Sequence, residues 1–168
     1  VDLNLKPRFP DRMVTLVHFG RSGTGLLHSL IDGHPEVSTL PSIYFSQYFR
    51  PSNWEKIASE GLEKITDKFI EYNEVLFDAA THDLTATQSK NIAFLGEKEG
   101  MCKVGDQGDE VLSVDKTTFR NELNRLISYY EELNAYIFFN LVHLAYNKAI
   151  EDLTRKSLIF YHIHNPDT

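Results

Sequence analysis

The sequence predicts an α/β fold, a parallel sheet flanked by helices, and three observations carry that expectation. A short apolar run rich in β-branched residues, Met13 to Phe19, breaks at a glycine-rich turn and gives way to a helical pattern. A second run of strand character, Lys156 to His164, returns near the other end of the chain. The residues between them have mostly helical periodicity. A right-handed crossover makes the returning strand parallel to the first.

The elements follow in order. Residues 1 to 12 mix proline, charge and isolated apolar side chains and read as a lead-in. Met13 to Phe19 is a short, mainly apolar run rich in β-branched residues and reads as a buried strand. A helix is expected from about Thr24 to Asp32, with Leu26, Leu27, Leu30 and Ile31 on one packing face. Gly33 is placed to cap it and Pro35 to stop it. Val37 to Leu40 is a second candidate strand. Ser52 to Glu55 fits a capping box that opens a helix running toward Gly61, and Leu62 to Tyr72 has amphipathic spacing. Residues 96 to 108 hold four glycines and many charges, which predicts a surface loop or an irregular hairpin. Asp115 can cap a helix reaching about Glu131. Another helix, about Asn134 to Asp152, sets Ile137, Leu141, Leu144 and Ala145 on one stripe, and Pro166 ends the last strand. The expected organisation is a single domain over residues 1–168. Within it, residues 13–40 form a strand–loop–helix–strand unit and residues 52–153 a mostly helical insertion. Two or three strands make a thin sheet, so the chain reads as a fold truncated after its early strands.

Composition narrows the functional classes. The 168 residues suffice for one domain with a core. A net charge of −7 argues against a nucleic-acid binder, which needs a broad basic face, yet leaves room for a small anion held by a few aimed donors. The one cysteine, Cys102, excludes an intrachain disulfide and a cysteine-built zinc site. No apolar run approaches the roughly 20 residues of a membrane helix, and no signal peptide is legible. The expected setting is the cytoplasm, without membrane or nucleic-acid partners, and a homodimer stays open. Val1 is not methionine, so the natural start is expected upstream or processed.

The chemistry is concentrated in His18 to Leu26. A strand feeding a glycine-rich turn and then a helix start aims backbone N–H groups at one point, and the helix dipole favours negative charge there. Gly20, Gly23 and Gly25 permit a tight turn and close approach, Arg21 adds a permanently charged fork, and Ser22 and Thr24 add hydroxyls. Gly20 and Gly25 have the spacing of a nucleotide-binding P-loop. Leu26 and Leu27 stand where its lysine and its magnesium-binding hydroxyl belong, which argues against an ATPase or kinase.

Arg21-Ser22-Gly23-Thr24 after a strand and before a helix resembles the 5′-phosphosulfate-binding loop of sulfotransferases, enzymes that use 3′-phosphoadenosine-5′-phosphosulfate (PAPS). The arginine form, with Leu26 to Leu30, Asp32 and His34-Pro35 behind it, looks most like tyrosylprotein sulfotransferases and related bacterial enzymes. The close match covers residues 18 to 35 and a few neighbours. His162-Ile-His164-Asn165-Pro166 is a looser match to the family's motif at a later strand end, where His164 falls on a catalytic position. The resemblance implies the P-loop-like three-layer sulfotransferase fold. It implies sulfuryl transfer from PAPS to a hydroxyl or amine of a small-molecule or peptide acceptor, with no metal. Gly20 to Gly25 would bind the donor, Arg21 would stabilise the leaving phosphate, and His164, or failing it His162, would be the base. Strand alternation puts those two histidines on one face.

The chain departs from the family in three places. The arginine and serine that would hold the 3′-phosphate are expected after a motif like His164-Asn165-Pro166 and are not matched up to Thr168, no acid occupies Thr39 to Ser42 where a glutamate base is expected, and Gly25 replaces a threonine. The rival readings are a degenerate P-loop phosphotransferase and a non-catalytic nucleotide-binding module. Among the other residues, His18 and His28 read as packed or surface histidines, and His34 as a helix-end residue whose ring bonds exposed carbonyls. Tyr44, Phe45, Tyr48 and Phe49 read first as core and second as an acceptor pocket. His82 and Asp83 show no metal-ligand spacing.

Overall fold

The computed structural model describes residues 6–19, 22–41, 48–79 and 104–164, with His164 described by its backbone alone. Strand β1 is Arg12–His18, β2 is Val37–Ser38 and β3 is Leu158–His164. Their order is β1-β3-β2, and both pairings are parallel, as the crossover argument expects. The register sets Met13 beside Ile159, Leu16 beside His162 and His18 beside His164. The central place of β3 explains its continuous apolar run: it has a strand on each side and helices on both faces. By the pleat, Ile159 and Tyr161 turn toward the helical core, while Phe160 and His162 turn toward the helix that follows β1.

That helix, α1, is Thr24–Ile31, one residue shorter than expected, and Gly33 closes it at a φ of 75°. Helix α2 is Pro51–Ala58. The capping box expected at Ser52–Glu55 does not form. Pro51 takes the first helical position, where its fixed φ is already correct, so Ser52 falls inside the first turn and Arg50 precedes the helix without a side-chain cap. Helix α3 is Leu62–Tyr72, as its spacing predicts, and a short 3₁₀ turn, Glu74–Leu76, follows.

Val104 and Glu110 bridge antiparallel around left-handed Gly105 and Gly108, which makes residues 104–110 an irregular hairpin; residues 96–103 of the glycine-rich segment lie outside the described residues. Helix α4, Lys116–Ile127, starts where Asp115 predicts: the carboxylate accepts the amides of Thr117 and Thr118. It stops four residues short of Glu131. Helix α5, Ala135–Ala149, is capped by the Asn134 side chain, which accepts the Ile137 amide.

The core forms around α5. Of its expected stripe, Leu141 and Ala145 are fully buried while Ile137 and Leu144 sit at the margin. Phe138, Phe139, Val142 and Tyr146 are buried as well, so most of the helix circumference is enclosed rather than one stripe. Phe69, Phe77 and Phe119 pack against Phe138 and Tyr146, and the Tyr146 hydroxyl donates to the Leu76 carbonyl at 2.7 Å. Tyr48 belongs to this core and donates its hydroxyl to the Ala135 carbonyl at 3.1 Å; Phe49 packs at its edge on Phe139 and Tyr161. Tyr44 and Phe45 lie outside the described residues. Among the described residues, no helix is long and apolar enough to cross a membrane.

Candidate functional site: the turn after β1 and its histidines

Strand β1 ends at His18, and the chain turns within five residues into α1. Gly23 makes that turn in the left-handed region, at φ 74° and ψ 14°, a conformation that side-chain-bearing residues avoid. A Cβ on Gly23 would meet nothing within 4 Å, so the requirement is conformational rather than steric. The Ser22 hydroxyl donates to the Phe19 carbonyl at 2.7 Å and closes the turn from inside.

Among the described residues, no side chain caps the amino end of α1, and its first turn carries no acid. The first intrahelical bond runs from the Leu27 amide to the Gly23 carbonyl, which leaves the amides of Thr24, Gly25 and Leu26 without a helical acceptor. Ser22, Gly23 and Gly25 are exposed and Thr24 is partly buried. The result is an exposed set of N–H donors at the positive end of a helix dipole, beyond the carboxyl end of a parallel strand. Gly20 and Arg21 lie outside the described residues.

α1 does not pack as its apolar stripe predicts. None of its residues is buried; Leu26 is 68% and Leu30 74% exposed. The partly buried residues of α1 are Thr24, His28 and Ile31, which share one face, so of the expected stripe Ile31 alone turns inward and Thr24 and His28 take the other inward places. Thr24 Oγ1 lies 3.2 Å from His18 Nδ1, and His28 Nδ1 lies 2.8 Å from His162 Nε2. The ring centroids of His18 and His162 are 5.4 Å apart, edge to face, and those of His28 and His162 are 4.8 Å apart. Three imidazoles, with Phe160 beside them, thus stand between α1 and the sheet, where the sequence predicts aliphatic side chains.

His162 is the centre of this cluster and is 1% exposed. Burial, and next the neighbouring His28 and His18, push its pKa down to about 4, so the ring is neutral at pH 7. Its Nδ1 is buried with no hydrogen-bond partner. Through Nε2 the enclosed ring holds His28. The backbone of His164 pairs with that of His18 at the end of the sheet. The structure thus brings three histidines, His18, His28 and His162, beside the turn. Of these, only His162 stands out in the sequence as a candidate. The signal for the other two is spacing: His18 sits two residues before Gly20, and His28 one helical turn after Thr24.

A second polar group is buried between β2 and α5. The Ser38 hydroxyl lies 2.8 Å from His143 Nδ1 and shares hydrogen bonds of 3.1 and 3.2 Å with the Asn147 amide. His143 is fully enclosed, and burial pushes its pKa down to about 3. It is a structural residue with no access to a ligand. His34 also differs from expectation. Its ring Nδ1 accepts the Glu36 amide at 3.2 Å, and the carbonyls of His34 and Pro35 are met instead by the Lys156 ammonium, at 3.4 and 3.1 Å.

Among the described residues, no three histidine, cysteine or acidic side chains gather as a metal site would require. His82 and Asp83 lie outside the described residues. Compared with known protein families, curated proteins and solved structures, the chain has no match.

Proposed function

We propose that this chain binds the 5′-phosphosulfate of PAPS at residues Gly20 to Gly25 and transfers the sulfuryl group to a hydroxyl or amine acceptor. The observation that carries the reading is the uncapped amino end of α1, entered through left-handed Gly23 at the carboxyl end of β1. Such a terminus is suited to a phosphate or sulfate oxygen. The residues Arg21-Ser22-Gly23-Thr24 resemble the sulfotransferase donor loop at the same place, and Leu26 and Leu27 replace the groups a magnesium nucleotide needs.

In the proposed reaction the acceptor oxygen or nitrogen forms a bond to sulfur as the bond from sulfur to the bridging oxygen of the phosphate breaks. By analogy with phosphoryl transfer, negative charge builds on that bridging oxygen, and the catalytic work is mainly positioning and electrostatics. Arg21 and the amides of Gly23 and Thr24 neutralise the leaving phosphate. His164 takes the acceptor's proton. His162 acts as a positioning residue: its bond to His28 and the bond of Thr24 to His18 fix α1, and with it the donor amides, on the sheet. Arg21→Ala is expected to lower turnover about 100-fold or more, the scale for losing one transition-state donor. Turnover near that of the unaltered chain would overturn the assignment.

A further inference from the structure

A cleft of about 360 Å³ opens at the other end of the sheet, where the lead-in to β1 meets α4, the end of α5 and the turn before β3. Five cations line it: Arg8, Arg125, Lys148, Arg155 and Lys156. Two carboxylates, Glu122 and Asp152, share it, which leaves a formal charge of +3 in a chain whose total is −7. The local excess runs against the charge of the whole molecule.

Two of the cations are already engaged. Lys156 is buried against Asp152 and the carbonyls of His34 and Pro35. Arg125 forms a fork on Glu122, with contacts of 2.7 and 2.9 Å. The other three are available. Arg8 reaches Asp11 only at 3.5 Å and in solvent, a weak pairing. Among the described residues, neither Lys148 nor Arg155 has a carboxylate within 4 Å. The carboxyl end of α5 accounts for Lys148 through its dipole, but not for Arg8 or Arg155. Phe9, Leu144 and Leu153 add apolar surface to the same cleft. The volume falls at the small end of the range for organic ligands, about 300 to 1,000 Å³.

We infer that this cleft is a second anion site, distinct from the turn after β1, which takes a small phosphate or sulfate monoester with an apolar body. The arginine forks of Arg8 and Arg155 suit the paired oxygens of a tetrahedral oxyanion, Lys148 supplies a point charge, and the ester's organic part lies on Phe9 and Leu144.

The test is calorimetric titration of phenyl phosphate and of inorganic phosphate at low ionic strength, in an Arg21→Ala background that silences the turn after β1. The altered chains are Lys148→Ala, Arg155→Ala and the pair together. Lys148 and Arg155 are exposed, so an unchanged thermal midpoint checks that the fold is kept. Saturable binding of phenyl phosphate is expected, tighter than that of inorganic phosphate and weakened about tenfold by each substitution, the usual scale for one charge-assisted contact. Binding that survives the double substitution, or no saturation at millimolar concentration, would overturn the site. Equal affinity for the two probes would overturn its apolar half.

Discussion

His143 offers the clearest link between a single buried side chain and a solution measurement. Its ring is fully enclosed in the core, hydrogen-bonded to Ser38, with a pKa pushed down to about 3 from an ordinary 6.5. The unfolded chain binds a proton at His143 once the pH falls below about 6.5, whereas the folded chain stays neutral there. Stability from this residue is therefore complete above pH 6.5 and is lost as the pH falls toward 3. Each pH unit in that window is worth about 1.4 kcal/mol, so moving from pH 7.5 to pH 5 removes about 2 kcal/mol through His143 alone. Most carboxylates stay ionised above pH 5, so the window isolates histidine. His162, with its pKa pushed down to about 4, adds in the same direction. Urea unfolding at the two pH values, on the unaltered chain and on His143→Gln, is the assay. The substitution keeps a polar side chain near Ser38 but cannot titrate, so it is expected to lower stability at pH 7.5 and to shrink the pH dependence by about 2 kcal/mol. The same pH dependence in both chains would refute the reasoning.

Other expectations follow from the packing. Leu30 is 74% exposed, so Leu30→Ser is expected to change stability by less than about 0.5 kcal/mol, whereas Leu123→Ala, at 0% exposure, costs about 2 to 5 kcal/mol; urea midpoints compare them directly. Asp115→Ala removes the acceptor of the Thr117 and Thr118 amides and is expected to cost about 1 kcal/mol, seen as a lower thermal midpoint. His162→Phe keeps the volume but removes the bond to His28. A weaker grip on PAPS with little change in the pH profile of turnover is expected if His162 only positions α1, and loss of the acidic limb of that profile, where a base is silenced by protonation, would assign it the proton itself.

Helix α3 and the start of α4 were legible because local signals agreed with the packing, whereas β1 was legible as a strand but not in its burial: it lies at the edge of the sheet, with Val14 44% and Val17 53% exposed rather than enclosed. Met13 to Phe19 is mostly apolar and rich in β-branched residues, Leu62 to Tyr72 has a clean amphipathic period, and Asp115 precedes a helical run. The start of α2 was misread because Pro51 outcompetes a capping box one residue later. The face of α1 was misread for a different reason. A helical wheel shows where Leu26 and Leu30 lie but not what the helix meets. The partner of His28 is His162, 134 residues away in sequence. Contacts of that range carry no local signature, so the histidine layer beside the turn could only come from the fold. The turn itself was legible because glycine, arginine and hydroxyl side chains cluster at a strand-to-helix junction. The left-handed Gly23 and the uncapped amides of α1 are the structural form of that pattern.

The central claim, donor binding at Gly20 to Gly25, is tested most directly by calorimetric titration of PAPS, its desulfonated product and magnesium ATP, with Arg21→Ala alongside. The account predicts binding of PAPS or product that depends on Arg21 and is indifferent to magnesium. Binding of magnesium ATP alone, or of PAPS with unchanged affinity in Arg21→Ala, would contradict it.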